Sequence, residues 1–209
     1  METKSTDTIK AVAFDLGKVL FDFDYQIALD RIKDKITIPP QSVIDALFEE
    51  NFADDFERGF ITPGDFYLKF REKTGFSSDY QEFVDVWCDI FTPMKETWAL
   101  VESLRPFYTT LLISNINELH YHFLKQRFPY VFSLFSDEIL SFAVKEMKPA
   151  PRIYDILLEK AGVAREQLVY IDDRADLIAG ARAQGLNCIR FEQLGQCRRA
   201  LKGFGLRLA

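Results

Sequence analysis

The sequence predicts an α/β protein in which a doubly wound parallel sheet carries an inserted α-helical cap. In the second half of the chain, short apolar segments alternate with amphipathic helical patterns, as is typical of parallel sheets covered by helices. Between about residues 25 and 96 only helical patterns occur. At 209 residues, of which 48% are hydrophobic, the chain is long enough for one core and an inserted module.

The first predicted strand covers residues 10–16 (KAVAFDL), an apolar run that ends in Asp15 and turns at Gly17. Further strands are predicted at 109–115 (TTLLISN), in FSLFSDEIL centred on 133–140, at 167–173 (QLVYIDD) and at 186–191 (LNCIRF). Helices are predicted between them at 117–128, 149–162 and 174–185, and Gly162 and Gly185 close the last two.

The segment from about Tyr25 to Glu96 predicts four or five amphipathic helices rich in Phe. It leaves the sheet domain after the first strand and returns before the second, so we expect its two connections to act as hinges above the strand ends. We therefore predict a core formed by residues 1–22 and 97–209 and a cap formed by residues 23–96. The aromatic side chains of the cap are expected to pack within it.

The composition of the chain argues against several classes of partner. A net charge of −6 and a pI near 5.1 give no basic surface for nucleic acid. The first ten residues are polar, and no apolar run approaches the roughly 18 residues that span a bilayer. Three cysteines without metal-ligand spacing fit a reducing compartment. We expect a soluble, cytoplasmic monomer or homodimer with no nucleic-acid or membrane partner.

Carboxylates fall at the predicted strand ends, which is where doubly wound sheets bind ligands. Asp15 ends the first strand, and Asp172 and Asp173 end a later one. A single aspartate at such a position is more often a turn former or a helix cap. Three carboxylates at one edge of the sheet favour a site for a hard cation such as Mg²⁺.

Other polar residues point to an anion site at the same edge. Ser114 and Asn115 supply a hydroxyl and an amide beside a helix N-terminus, where backbone amides attract anions. Lys148, at a predicted helix start, offers a point charge for a phosphate. Taken singly, these residues are better explained as helix caps and a solvated lysine. His120 and His122 are expected to be surface or packing residues.

The segments FDLGKVLFD, LLISN, EMKPAPRIYDILLEKAG and VYIDDRADLIAGARAQG resemble, in order and spacing, the four motifs of the haloacid dehalogenase (HAD) superfamily of hydrolases. The likeness extends from Ala11 to Phe191, and the helical insertion resembles the cap of the phosphatase-rich branch. The first motif and the ERG at 57–59 are similar to those of sugar-phosphate phosphatases of the glucose-1-phosphatase type. This resemblance implies a Rossmann-like core, Mg²⁺ as cofactor and a small phosphorylated metabolite as substrate.

The resemblance also implies a nucleophile and a metal site. Asp15 would attack phosphorus to give an aspartyl phosphate, which water then hydrolyses. Asp15, the backbone carbonyl of Gly17 and Asp173 would hold Mg²⁺. Asp172 and Asp176 would support these ligands from outside the metal shell.

For the transferred phosphoryl group, the resemblance implies that Ser114 and Asn115 hold its oxygens. Lys148 would neutralise charge between the phosphate and Asp15, because a carboxylate and a phosphate dianion repel each other at bonding distance. Lys148 is therefore expected to be both a catalytic and a phosphate-binding residue.

The chain departs from the pattern of the superfamily at Gly17. Most of its phosphatases have a second Asp there, which acts as general acid and base, and loss of such a group typically lowers the rate by about 100- to 10,000-fold. Asp22 and Asp24 are candidates to replace it. Two alternatives to a phosphatase stay open: a metal-independent 2-haloacid dehalogenase, and a phosphate-binding or regulatory module with weakened catalysis.

Overall fold

The computed structural model describes residues 8–48 and 51–209, and its centre is a five-stranded parallel sheet. In spatial order the sheet contains β5 (Asp137–Leu140), β4 (Thr109–Ser114), β1 (Ala11–Phe14), β6 (Leu168–Asp172) and β7 (Asn187–Arg190). The strand order reverses at β1, which pairs with β4 on one side and β6 on the other. The predicted fold class, a doubly wound parallel sheet, is confirmed.

Strand β1 is central because all four of its residues are apolar and buried. Ala11 and Ala13 face one layer of helices, and Val12 and Phe14 face the other, as the two-residue period of a strand requires. The first layer contains α10 (Pro151–Ala161) and α11 (Ala175–Ala183). The second contains α6 (Lys95–Leu104), α7 (Glu118–Arg127) and α12 (Leu194–Gly203).

The insertion after β1 forms a separate helical layer with its own apolar core. Its helices are α1 (Tyr25–Ile32), α2 (Gln41–Phe48), α3 (Phe52–Glu57), α4 (Pro63–Thr74) and α5 (Tyr80–Cys88), with a 3-10 turn at Lys33–Lys35. Buried Phe66, Phe70, Phe83 and Trp87 pack in this core, as expected for the aromatic residues of the cap. Among the described helices, none combines the length and apolar character needed to cross a membrane.

A two-stranded antiparallel ribbon joins the cap to the core, and the sequence did not predict it. It pairs β2 (Phe21–Phe23) with β3 (Phe91–Pro93), so the outgoing and returning connections of the cap lie side by side. The indole of Trp98 donates a hydrogen bond of 2.7 Å to the carbonyl of Leu20 and ties the base of the ribbon to α6. Strands of three residues are too short to show a periodic pattern.

Two predicted elements differ from the structure. FSLFSDEIL is a strand only over Asp137–Leu140, because Pro129 begins the short helix α8 (Pro129–Phe132), and Ser133 caps its C-terminus. The helix predicted at 149–162 begins at Pro151 and ends before Gly162, whose φ of 63° is left-handed. Before it, β5 leads into another short helix, α9 (Ser141–Val144).

Candidate active site at the carboxyl ends of the strands

The strand register brings three carboxylates together at one edge of the sheet. Phe14 of β1 is level with Leu112 of β4 and Ile171 of β6, so the next residues of β1 and β6 are neighbours. The carboxylates of Asp15, Asp172 and Asp173 each place one oxygen within 4.8 Å of the others. The predicted convergence of these three residues is therefore present in the structure.

The ammonium of Lys148 lies between two of these carboxylates. Its Nζ is 2.7 Å from Asp15 Oδ1 and 2.7 Å from Asp172 Oδ2, and its side chain is only 1% exposed. Burial lowers the pKa of Lys148, but the two carboxylates raise it by more, so the net shift is upward. Lys148 is therefore a charged group at neutral pH and a fixed cation beside the predicted nucleophile.

Asn115 holds the backbone of Lys148 rather than an open position. Its Nδ2 donates to the Lys148 carbonyl at 3.0 Å, and its Oδ1 accepts from the Lys148 N–H at 2.8 Å. Asn115 thus fixes the start of the lysine side chain. Among the described residues, the Ser114 hydroxyl has by contrast a single contact of 3.5 Å, with the Asn115 carbonyl, which leaves it able to bind a ligand oxygen.

Asp172 and Asp15 differ in how fully their oxygens are used. Asp172 is completely buried and accepts hydrogen bonds from Lys148, the Tyr170 hydroxyl and, at 2.9 Å, the Arg174 N–H. One oxygen of Asp15 accepts a hydrogen bond from Lys148 at 2.7 Å, and the backbone N–H of Leu16 also lowers the pKa of this carboxyl. Burial raises the pKa of Asp15 to about 6, against the lowering effect of Lys148 and with a further raising effect of Asp172.

The donor set fits a divalent cation. When ionised, three carboxylates beside one ammonium leave two negative charges without a partner. Burial and the charge of Asp172 raise the pKa of the half-buried Asp173 by more than Lys148 and Arg174 lower it, so these two cations do not fully compensate its charge. Asp15, Asp173 and the carbonyl of Gly17 offer the oxygen atoms that Mg²⁺ prefers.

Three other predicted acidic residues lie outside this cluster. Asp176, expected to support the metal ligands, is exposed and forms an ion pair of 2.6 Å with Arg174, because the first turn of α11 directs it to solvent. Asp22 is exposed and paired with Lys18. Asp24 caps α1 by accepting the Gln26 N–H at 2.8 Å. The structure therefore places none of them where a general acid is needed.

A small cavity lies between the strand ends and the cap. Gly17, Ser114 and Asn115 line it from the core, and Phe23, Tyr25 and Glu57 line it from the inserted segment. A second, mainly apolar cavity adjoins it, and Tyr25, Glu57 and Asn117 line both cavities. Phe56, Phe66 and Trp87 of the cap line the second cavity alone. The sequence predicted no role at this site for Tyr25, Glu57 or Asn117.

His120 forms part of the cavity wall and is neutral. Burial lowers its pKa to about 4. Its Nδ1 lies 3.1 Å from Asn117 Nδ2, and its Nε2 lies 3.4 Å from the Trp87 carbonyl, an arrangement that fits an imidazole protonated at Nε2. His120 is thus a packing residue that also faces the site, whereas His122 is exposed.

The ring of Phe23 lies close to the position that a side chain at residue 17 would occupy. A Cβ atom added to Gly17 would lie 3.0 Å from Phe23 Cε1, which is tighter than ordinary contacts allow. A carboxylate at this position would therefore have to displace the ring.

A buried lysine between two aspartates, with a third carboxylate beside them, lies at the strand ends beneath a helical insertion. This combination is typical of α/β enzymes, which bind their ligands at the carboxyl ends of the parallel strands. Residues 9–185 match the family model of the haloacid dehalogenase-like hydrolases, so the chain belongs to this family. The resemblance carried by the four motifs is confirmed.

Similar proteins include enzymes of known chemistry. D-ribitol-5-phosphate phosphatase of Bacteroides thetaiotaomicron is 22% identical over 210 residues, which cover 92% of this chain and 97% of the relative. The HAD family enzyme bt-2542 of the same organism, solved with magnesium and inorganic phosphate, matches with a TM-score of 0.81 and 25% identity over 90% of this chain and 98% of that one. L-2-haloacid dehalogenase of Xanthobacter autotrophicus shares the fold, with a TM-score of 0.63 and 19% identity over 96% and 85% of the chains.

Proposed function

We propose that this hydrolase is a magnesium-dependent phosphatase that cleaves small phosphate monoesters through an aspartyl phosphate on Asp15. The observation that carries the proposal is the buried Lys148 that bridges Asp15 and Asp172, with Asp173 close enough to share a cation with Asp15. The phosphatase activity named for the Bacteroides relative and the magnesium and phosphate bound to bt-2542 support it.

The site residues divide the work of the reaction. Asp15, Asp173 and the Gly17 carbonyl would hold Mg²⁺, which would supply positive charge against the incoming phosphate. Lys148 holds one oxygen of Asp15 through a hydrogen bond of 2.7 Å, and the other oxygen would attack phosphorus. The Ser114 hydroxyl would donate to a phosphoryl oxygen, and Asn115 would act on the phosphate through Lys148, whose backbone it fixes.

Turnover then takes two displacements at phosphorus. In the first, a carboxylate oxygen of Asp15 forms a bond to phosphorus while the ester P–O bond breaks, and the leaving alcohol takes up a proton. In the second, water attacks phosphorus, loses a proton and releases inorganic phosphate, and Asp15 is regenerated. Lys148 keeps its charge throughout, because Asp172 stays paired with it.

A small polyol or sugar phosphate is the proposed class of substrate. The cap side of the paired cavities presents aromatic and aliphatic side chains and the carboxyl of Glu57, with no lysine or arginine among the lining residues. A second anionic group on the leaving alcohol would have no cation to pair with. The cytoplasmic location and the monomeric or homodimeric state stay predictions of the sequence.

Phosphate release from p-nitrophenyl phosphate and from a panel of sugar and polyol phosphates, with and without Mg²⁺, tests the proposal. We expect magnesium-dependent release that Asp15→Asn abolishes, while the control Asp30→Asn, an exposed residue on α1, has no effect. Activity that survives Asp15→Asn would contradict the mechanism. Chelator-insensitive release of halide from 2-haloacids would favour a dehalogenase, and Mg²⁺ binding without any product would favour a regulatory module.

A further inference from the structure

The proposed phosphatase needs a group that donates a proton to the leaving alcohol and later accepts one from water. Gly17 has no side chain, and Asp22 and Asp24 are exposed and engaged elsewhere. Resting on the function proposed above, we propose that Glu57 of the cap is this general acid and base. The cap would thereby complete a catalytic site that is incomplete in the core alone.

The position of Glu57 supports this role. It is the last residue of α3, and it lines the cavity that Gly17 and Ser114 line from the other side. Within the described residues, no side chain or N–H donates a hydrogen bond to its carboxylate, so the group is free to meet a substrate oxygen. Glu57 also lines the adjoining apolar cavity, so its side chain borders both the cavity at the strand ends and the space beneath the cap.

Hydrogen bonds to the core fix the end of α3. The hydroxyl of Ser141, the first residue of α9, donates to the Glu57 carbonyl at 2.6 Å and accepts the Ile116 N–H at 2.9 Å. The ammonium of Lys145 donates to the Gly59 carbonyl. Because Ile116 follows Ser114 and Asn115 directly in the chain, Ser141 links the backbone of Glu57 to the loop that binds the phosphate.

The electrostatic surroundings suit a group that must both give and take a proton. Burial, with smaller contributions from Asp54 and Asp15, raises the pKa of Glu57 to about 7 against the lowering effects of Arg174 and Lys148. Tyr25 of α1 and the neutral His120 of α7 also face the cavity. An acid whose pKa lies near the working pH is present in both protonation states, which is the requirement for this double role.

The proton balance follows the two displacements. In the first, the carboxylic acid of Glu57 gives its proton to the ester oxygen as the P–O bond breaks, and the alcohol leaves neutral. In the second, the Glu57 carboxylate takes a proton from water as the water oxygen bonds to phosphorus and the bond to Asp15 breaks. Glu57 is then protonated again and ready for the next ester.

The proposal is tested by assaying Glu57→Gln with two kinds of ester. Nitrophenolate can leave without being protonated, whereas the oxygen of an alkyl ester needs a proton before it can leave. With p-nitrophenyl phosphate, the variant should keep a burst of nitrophenol and lose steady turnover, since the first displacement survives and the second lacks its base. With an alkyl ester such as a polyol phosphate, kcat should fall by about 100-fold or more and the burst should disappear. The retained aryl burst shows that the variant is folded and binds Mg²⁺.

The pH profile supplies an independent readout with a matched pair of variants. Asp54→Asn removes a charge that raises the pKa of Glu57, so the limb of the kcat profile that belongs to Glu57 should move to lower pH. Asp55→Asn removes the same charge from the next residue of α3 and should leave that limb in place. A limb that moves equally in both variants, or in neither, would contradict the assignment.

Two further outcomes overturn the proposal. If Glu57→Gln raises KM for polyol phosphates while kcat and the pH profile stay unchanged, Glu57 binds a substrate hydroxyl and does not transfer protons. If the variant keeps full activity on both esters, Glu57 has no part in the reaction. A wild-type protein that releases no phosphate at all would instead refute the phosphatase function itself.

Discussion

Replacement of Asp173 by Asn is expected to stabilise the metal-free protein and to remove its response to Mg²⁺. Asp15, Asp172 and Asp173 lie within 4.8 Å of one another, and Lys148 neutralises only one of the three charges. Two unit charges about 5 Å apart repel by about 3 kcal/mol at an effective dielectric constant of about 20. Asp173 is half-buried, so screening by water reduces the relief to about 1 kcal/mol.

Thermal unfolding in chelator and in excess Mg²⁺ measures both effects. In chelator, Asp173→Asn should raise Tm by about 2 to 4 °C, the shift that 1 kcal/mol gives in a chain of this size. In wild type, Mg²⁺ at about 100 times its Kd should add about 3 kcal/mol, whereas the variant should gain little. Asp176→Asn should keep the full magnesium shift, since Asp176 points to solvent.

Two results would refute this reasoning. If Asp173→Asn lowers Tm in chelator, the carboxylate stabilises the fold and the charge excess at the strand ends is not a cost to stability. If Mg²⁺ still raises the Tm of the variant as much as that of wild type, the cation binds elsewhere. The relief should also fade as pH falls, because the pKa of Asp173 is raised and wild type sheds the same charge by protonation.

Three more perturbations have defined outcomes. Gly17→Asp alone should lower the stability of the fold, because its side chain would crowd the ring of Phe23. Combined with Phe23→Leu, which makes room, it should accelerate the hydrolysis of alkyl phosphates. Kinetics and unfolding of the single and double variants test both expectations. Burial lowers the pKa of His120 from 6.5 to about 4, so the folded protein should lose stability as the pH falls from about 6.5 toward 4. His120→Gln should remove this part of the pH dependence, as urea unfolding at pH 7 and at pH 5 will show. Asn115→Ala removes two hydrogen bonds to the Lys148 backbone and should lower the free energy of unfolding in urea by about 1 to 3 kcal/mol. Because Lys148 would then be held less firmly, kcat should fall by a larger factor than KM changes.

The core half of the site was predictable because strand ends carry positional information. An apolar run that stops at Asp15 and another that stops at Asp172 and Asp173 must end at the same edge once they pair in parallel. Neighbouring strands then bring the carboxylates within reach of one ion. The sequence could therefore predict the cluster without any knowledge of side-chain geometry.

The cap half was not predictable, because helix periodicity does not say which face turns toward the core. Glu57 ends a helix of six residues, too short for a clear amphipathic pattern, and the ERG at 57–59 was the only signal that drew attention to it. The hydrogen bonds between Asn115 and the backbone of Lys148 were not predictable for a related reason. An amide at a strand end can serve a ligand or a neighbouring backbone, and only coordinates distinguish the two.

The ribbon of β2 and β3 makes the cap an exchangeable module. Phe23 and Phe91 are paired across the ribbon, so the chain leaves the sheet domain and returns to it at neighbouring positions. The whole insertion therefore occupies the far end of one long hairpin. A short turn that joins these two strands would remove the insertion, and a foreign helical segment joined at the same pair would replace it, with β1 and β4 to β7 of the core left in place. Such an exchange would change the cavity walls and the residue at position 57 together, while the carboxylates at the strand ends would stay as they are.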